Sequence, residues 1–115
     1  MKFSRFEEIN AWQKAKTLTK IIYQESSILN DYSFKNQIQR ASLSIMNNIA
    51  EGFERISNKE FVYFLYVSKG SCGEVRSMVL LGEELGYFDK QLAAELHEQA
   101  EEISKMIAGL IKSLK

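Results

Sequence analysis

Histidine and cysteine, two residue types that often carry chemistry, each occur once in this chain, as His97 and Cys72. A di-iron site of the ferritin type needs a glutamate three residues before the histidine, and Ala94 occupies that position. A reactive thiolate needs a nearby histidine or helix N-terminus to lower its pKa, and the sequence places neither beside Cys72. We therefore expect a solvated surface histidine and a small buried cysteine, with no catalytic residue, metal ligand or cofactor.

A polar stripe follows the second of four predicted helices at steps of three or four residues, which places its members on one side. They are Gln37, Arg40, Ser44, Asn48, Glu51 and Arg55. The stripe lies beside the apolar stripe of the same helix, so partial burial is expected, and a buried charge needs a partner. Because the third helix returns antiparallel, Arg40 is predicted to pair with Glu74. We name the predicted network the polar seam: Arg40, Ser44, Asn48, Glu51, Ser71 and Glu74.

A seam of this kind more often fixes helix register than performs catalysis. An enzyme would need Arg40, Glu51 and Glu74 to converge in a pocket open to solvent. Adjacent acids such as Glu83 and Glu84 point about 100° apart on a helix, so they do not form a carboxylate dyad. The sequence therefore favours a protein that is not an enzyme.

Nucleic-acid binding is constrained by the charge balance of fifteen basic and fifteen acidic residues. Strong non-specific polyanion binders carry an excess of Lys and Arg. Binding through a local basic patch is therefore the remaining possibility. Its candidate members are Lys14, Lys16, Lys20, Arg55 and Lys69. Four aromatic residues could stack bases, although core and interface packing is the favoured interpretation in a helical bundle: Phe61, Tyr63, Phe64 and Tyr66.

Four helices must position these residues, because apolar residues recur at helical spacing and no proline or strand pattern interrupts them. The predicted helices run from about Phe6 to Ser26, Ser33 to Phe53, Ser57 to Leu85, and from an Asp89 cap to about Leu114. Capping boxes are predicted at Ser4–Glu7 and Ser57–Glu60, and Gly86 is a predicted C-cap. Short connections predict an all-α, antiparallel up-down-up-down four-helix bundle, a single domain over residues 1–115.

The second helix carries more apolar surface than one small core can bury. Beside its core stripe runs a second apolar stripe, which we expect in a subunit interface: Leu43, Met46, Ala50 and Phe53. In the third helix, Gly70 and Gly73 flank Ser71 and Cys72. Mid-helix glycine costs roughly 1 kcal/mol relative to alanine, and close helix–helix approach is the expected compensation.

A cytoplasmic location is expected from three features of the sequence. A single cysteine suits a reducing compartment. The first ten residues lack the apolar core of a signal peptide. The longest apolar run, Phe61–Val67, is far shorter than the about 20 residues that cross a bilayer.

Three segments resemble the four-helix-bundle family named for the 23S ribosomal RNA intervening-sequence proteins: "FEEINAWQKA", "QIQRASLSIMNNIAEGFER" and "FVYFLYVSKGSCGEV". The most specific part is Asn48–Gly52 with Arg55, followed by Gly70, Ser71 and Glu74. The resemblance implies a bacterial cytoplasmic protein whose copies form a ring, typically a pentamer. It extends more distantly to the accessory proteins of diversity-generating retroelements, pentameric bundles that bind a reverse transcriptase and nucleic acid. The family has no established enzymatic activity.

Together these observations predict a non-enzymatic homo-oligomer, a pentamer by resemblance, that binds RNA or a ribonucleoprotein partner through a composite ring surface. Repetition around a ring multiplies weak local patches by avidity, so zero net charge is compatible with this function. The alternative is a protein-binding scaffold with no nucleic-acid role. The second helix is thus expected to contribute both to the fold of one chain and to its assembly with other copies.

Overall fold

Four α-helices make up most of residues 3–115, the part of the chain that the computed structural model describes. They are α1 (Asn10–Ser26), α2 (Tyr32–Phe53), α3 (Asn58–Glu84) and α4 (Lys90–Leu114). These described residues contain no strand, so the predicted all-α class is confirmed. Residues 1 and 2 of the predicted 1–115 domain lie outside the described part.

Side-chain caps begin three of the helices. Asp31, Ser57 and Asp89 precede α2, α3 and α4, and each accepts a hydrogen bond from the backbone N–H three residues later, at 3.0, 3.2 and 2.8 Å. The end of α3 is followed by Gly86 at φ +79°, the left-handed conformation that glycine adopts without strain. The caps predicted at Ser57, Gly86 and Asp89 are therefore confirmed.

The start of the first helix differs from its prediction. Residues Phe6–Glu8 form a 3₁₀ turn, and α1 begins only at Asn10. Between them Ile9 is extended (φ −77°, ψ 119°) and buried, so the break directs an apolar side chain inward. The predicted Ser4–Glu7 capping box is wrong, because Glu8 Oε1 accepts the Ser4 N–H at 2.9 Å.

Each helix packs against its neighbours in chain order, and α1 also packs against α4, whereas the backbones of the diagonal pairs do not approach each other closely. Hydrogen bonds and close contacts show the antiparallel register of α2 and α3. Ser44 meets Ser71, and eight residues further along α2, Gly52 meets Phe61. The resulting body measures 43 × 21 × 19 Å.

The predicted core stripe of α2 lies at the centre of the body. Ile38, Ile45 and Ile49 have no exposed surface, and Ala41 is 3% exposed. The predicted stripe of α1 is buried in the same core: Ala11, Ala15, Leu18 and Ile22. Period-3.6 spacing of apolar residues was sufficient to locate these buried faces.

Two glycines pack at close range, and they are not the pair predicted to do so. A Cβ atom on Gly52 would lie 2.7 Å from Phe64 Cβ, and one on Gly82 would lie 2.7 Å from a ring carbon of Phe88. Real Cβ atoms do not approach other atoms so closely. Only glycine therefore fits where α2 crosses α3 and where the α3–α4 turn folds back.

Gly70 and Gly73 lie on the opposite side of α3. A Cβ atom on either would meet nothing within 4 Å, and both residues are exposed. The predicted close approach at these glycines is therefore wrong within the chain. Ser71 and Cys72, which lie between these two glycines, face the interior instead.

Candidate functional site

The centre of the polar seam is a hydrogen-bonded cluster between α2 and α3. Ser71 Oγ donates to Ser44 Oγ at 2.8 Å. Asn48 Nδ2 donates to the same hydroxyl at 2.9 Å and to the Ser44 carbonyl at 2.8 Å. One turn away, the buried Ser68 hydroxyl donates to the Ile45 carbonyl at 2.7 Å. These short polar side chains join two helices and present no free reactive group.

The predicted Arg40–Glu74 ion pair does not form within residues 3–115. Both side chains are exposed, and the Glu74 carboxylate accepts instead from the Gln37 side-chain amide. The prediction assumed that the seam was partly buried along its whole length. A charge in water needs no partner, so no strong force draws these two side chains together.

Glu51 lies outside the hydrogen-bonded cluster, because it pairs with Arg55, just after the end of α2, at 2.9 Å. The Arg55 guanidinium also lies 4.0 Å from Glu60 and stacks over the Phe64 ring at 4.8 Å. Two carboxylates therefore offset this cation at the α2–α3 turn. Arg55, one of the predicted nucleic-acid contacts, therefore has little positive charge left to attract a phosphate group.

The three lysines predicted on the first helix do not form one patch. Lys14 pairs with Glu102 of α4 at 3.0 Å and lies about 200° around the helix from Lys16. Lys16 Nζ lies 5.1 Å from the Trp12 ring centre. Lys20 follows one turn later and is exposed. Lys16 and Lys20 thus form a pair of cations on one side of α1, with no ion-pair partner in the described chain.

The interior around Cys72 excludes thiolate chemistry. Cys72 is fully buried, and burial raises the pKa of its thiol to about 12, against a smaller opposing effect of Lys69 and Arg76. A protonated thiol without solvent access is a poor nucleophile. Cys72 therefore packs as predicted, and the half-buried Lys69 lies near it rather than in the α1 pair.

His97 is half-buried rather than fully solvated. It lines a shallow groove between α3 and α4 together with Leu80, Glu98 and Glu101. No group of three His, Cys, Asp or Glu side chains within residues 3–115 is placed to hold a metal ion. His97 therefore has no metal-ligand set around it in the described chain.

The aromatic cluster divides into two pairs. Phe61 is buried and Phe64 half-buried, which agrees with the packing interpretation. Tyr63 and Tyr66 are 62% and 51% exposed, so they do not pack in the core, and interface packing stays a prediction for them. Lys115 Nζ donates to the Tyr66 hydroxyl at 3.2 Å and lies 5.4 Å from its ring centre.

The predicted subunit-interface stripe is half-buried within the single chain: Leu43, Met46, Ala50 and Phe53. Met46 and Phe53 pack against the chain's own core, and the Phe53 and Phe61 rings meet edge to face at 5.9 Å. The stripe is thus partly used in folding. Its role in a subunit interface stays a prediction.

A further exposed apolar surface lies on α3, and among its exposed side chains only Tyr63 and Tyr66 were considered as candidate contacts in the sequence. We define the outward face of α3 by its exposed apolar side chains and the glycines between them: Tyr63, Tyr66, Val67, Gly70, Gly73, Leu80, Leu81 and Leu85. The signal was present in the sequence, because α3 is apolar on most sides. Periodicity alone did not reveal which side the rest of the bundle leaves uncovered.

A second feature absent from the predictions joins the two connections at one end of the bundle. Tyr87 Oη donates to Asp31 Oδ2 at 2.8 Å, while Asp31 Oδ1 caps α2. The backbone N–H of Phe34, followed by the Tyr87 hydroxyl, lowers the pKa of Asp31 below its ordinary value. The same bond raises the pKa of Tyr87.

Comparison with known proteins places this geometry in a family. The family model described as "23S rRNA-intervening sequence protein" matches residues 7–109. No curated protein matches the chain. In the described residues, no helix has both the length and the apolar character needed to cross a membrane.

A solved crystal structure shares the fold. It is a protein of unknown function from the S23 ribosomal protein family of Bacteroides thetaiotaomicron, 21% identical, with a TM-score of 0.82. The alignment covers 89% of this chain and 95% of that one. The family model matches residues in all four helices and the connections between them. This chain therefore belongs to the 23S rRNA-intervening sequence protein family.

Proposed function

We propose that this protein is a non-enzymatic, cytoplasmic homo-oligomer that binds RNA or a ribonucleoprotein partner through surfaces repeated around a ring of copies, five by family resemblance. The observation that carries the RNA part is the pair Lys16 and Lys20. They lie one turn apart on an exposed side of α1, and no carboxylate in the described chain offsets them. Membership of a family named for an rRNA element supports the same class of partner.

Two lysines are a weak phosphate-binding site on their own. Each neutralised phosphate contributes through counterion release, which makes affinity steeply salt-dependent. Around a ring the pair recurs once per copy, and linked contacts raise the overall affinity without any new chemistry. A small local patch on a neutral protein is therefore sufficient for the proposed binding.

The RNA part is tested by fluorescence anisotropy with a structured RNA hairpin at 50 and 200 mM salt. We expect Lys16→Gln/Lys20→Gln to weaken binding at least tenfold and to reduce the salt slope. Lys14→Gln is the matched control, because Lys14 is already paired with Glu102. Equal affinity of the double variant and the wild type, or a flat salt response, would contradict the proposal.

The assembly part is tested separately by light scattering across a concentration series. A particle of several copies at micromolar concentration is expected, and five copies would match the family resemblance. Leu43→Lys probes the proposed ring contact, because Leu43 is the larger of the two members of the α2 stripe, Leu43 and Ala50, that lie outside the set packed on the chain's own core. A chain that stays monomeric at every concentration would refute the ring.

A protein-binding scaffold is the second candidate function. The outward face of α3 favours it, since large exposed apolar patches mark protein contacts rather than phosphate contacts. The two candidates give different results in one experiment. Purification of the tagged protein from its host, with and without ribonuclease, retains partners of a scaffold and loses those held through RNA.

A further inference from the structure

We propose that the RNA bound by this protein is single-stranded and lies along a row of lysine and aromatic side chains that crosses α1 and α2. This inference rests on the proposed RNA binding and deepens it, because it names the form of RNA that the lysines of α1 bind. We name the row the cation–aromatic strip and define it by six residues: Trp12, Lys16, Lys20 and Tyr23 of α1, with Tyr32 and Lys35 of α2.

The α1 half of the strip places two ammonium groups between two aromatic rings. At about 100° and 1.5 Å per residue, its four members lie within about 80° of one another and cover about 16 Å of the helix. Lys16 and Lys20 are exposed, Tyr23 is 39% exposed, and Trp12 is half-buried. Lys16 Nζ lies 5.1 Å from the centre of the Trp12 ring. Cations and rings therefore share one side of α1.

The α2 half continues the strip on the same side of the bundle. Tyr32 is 67% exposed, and Lys35 Nζ lies 4.9 Å from the centre of its ring. Both residues lie within about 40° of Gln39 around α2. Gln39 Nε2 donates to Ser26 Oγ, at the end of α1, at 2.9 Å. This bond places the flank of α2 that carries the second lysine–tyrosine pair beside the end of α1.

The positive charge of the strip is not offset by the chain itself. None of its three lysines has an ion-pair partner within residues 3–115. Between residues 9 and 50 the only acidic residues are Glu25 and Asp31. Glu25 lies about 180° around α1 from Lys16, and the Asp31 carboxylate already accepts two hydrogen bonds at the bundle end. A polyanion therefore meets no carboxylate repulsion along the strip.

The exposed rings decide between a single strand and a duplex. In an RNA duplex the bases stack on one another, so a protein contacts mainly phosphates and sugar hydroxyls. Lysines are sufficient for those contacts, and the rings of Tyr23 and Tyr32 add little. In a single strand the unpaired bases can stack on aromatic side chains while cations bind the phosphates. Rings interleaved with lysines therefore fit a single strand.

The first test compares two RNAs by fluorescence anisotropy at 50 mM salt: an oligouridine of about 15 nucleotides and a duplex of the same length. We expect the wild type to bind the single strand at least tenfold more tightly. Tyr23→Leu/Tyr32→Leu should lose about tenfold in affinity for oligouridine and keep its affinity for the duplex. Tyr23→Phe/Tyr32→Phe, which keeps both rings, should bind as the wild type does.

Circular dichroism and light scattering check that each variant has the wild-type fold and mass, because a change in copy number would also change avidity. Equal wild-type affinity for the two RNAs would overturn the inference. Wild-type affinity of the leucine double variant for oligouridine would overturn it as well.

The second test locates the strand by the fluorescence of Trp12, the only tryptophan of the chain. Unlabelled oligouridine should quench its emission with the same midpoint as the anisotropy curve, because a strand held by Lys16 lies beside this ring. Binding that leaves the emission unchanged would place the strand elsewhere and overturn the inference.

The third test asks whether the strip extends onto α2. Lys35→Gln should weaken oligouridine binding severalfold and lower the salt slope by about one. Arg40→Gln is the matched control, because Arg40 is an exposed cation about 140° further around the same helix. Equal effects of the two substitutions would overturn the α2 half of the strip.

Failure of this inference differs from failure of the proposed function. If RNA binds through Lys16 and Lys20 with no preference for single strands, the proposed function stands and this inference is overturned. If neither RNA binds at 50 mM salt, both are overturned.

Discussion

The inner and outer sides of α3 contain similar residues in opposite surroundings. On the inner side, Ser68 and Ser71 are buried and hydrogen-bonded to α2, and Gly52 approaches the helix at contact distance. On the outer side, Gly70 and Ser77 face solvent. The contrast shows that a glycine or serine in a helix has no fixed meaning, because its role is decided by what packs against it.

The largest expected effect that tests this contrast is Gly52→Ala. Its Cβ would lie 2.7 Å from Phe64 Cβ and 2.9 Å from the Phe61 ring. Overpacking of this kind costs about 2–3 kcal/mol, which urea unfolding would measure. Gly109→Ala serves as the control. A loss below about 0.5 kcal/mol would mean that α2 and α3 can move apart at this point.

Removing an inner-side hydrogen bond should have a smaller effect. Ser68→Ala deletes the buried donor to the Ile45 carbonyl and should reduce the free energy of unfolding by about 1.5 kcal/mol. Ser77→Ala, one exposed serine on the outer side of the same helix, should change it by less than 0.5 kcal/mol. Equal losses for the two variants would contradict the division of α3 into two sides.

Gly70→Ala should act in the opposite direction. The added methyl group meets nothing within the chain, and alanine is about 0.8–1 kcal/mol more favourable than glycine inside a helix. Thermal unfolding at a concentration low enough to keep the chain dissociated should show a rise of about 4 °C. A decrease in melting temperature would show that the outer side is occupied by the chain itself.

The smallest expected effect lies at the bundle end, where Tyr87 and Asp31 connect the two turns. The pKa of Asp31 is lowered in the folded chain, chiefly by the Phe34 N–H and then by Tyr87. Stability from this carboxylate is therefore present above its unfolded pKa and is lost as pH falls through the folded value. Tyr87→Phe should flatten the acid limb of the stability curve below about pH 4, and an unchanged limb would contradict this.

At alkaline pH, the stability contributed by this hydrogen bond depends on pH in the opposite direction. The pKa of Tyr87 is raised, first by its hydrogen bond to Asp31. Its contribution is complete below the unfolded pKa and is lost as pH rises through the folded value. Wild type should therefore lose more stability above about pH 10 than Tyr87→Phe does.

The predictions that succeeded were those in which local spacing is sufficient. The core stripe of α2 and the caps at Ser57 and Asp89 follow from neighbours within one or two turns. The cluster of Ser44, Asn48 and Ser71 also forms, because short side chains near the core stripe must meet the adjacent helix. Arg40 and Glu74 did not pair, since long charged side chains at the edge of the same stripe reach water.

The aromatic residues of α3 show the same limit. Phe61 and Tyr63 are two positions apart, yet one is 2% and the other 62% exposed. Helical spacing places them on different sides, but it does not say whether the second side is covered. In a helix that is apolar all round, the number of neighbouring helices decides whether every side is covered. In the described chain, α3 packs against α2 and α4.

By itself, the sequence determined the helical class, most helix ends, the buried faces of α1 and α2 and the family, because each depends on residues close together in the chain. Only the tertiary structure decided which glycines are crowded, which charges are paired and which apolar side is left open. Those properties depend on distances between helices. The spacing of residues along one helix contains no information about how many other helices surround it.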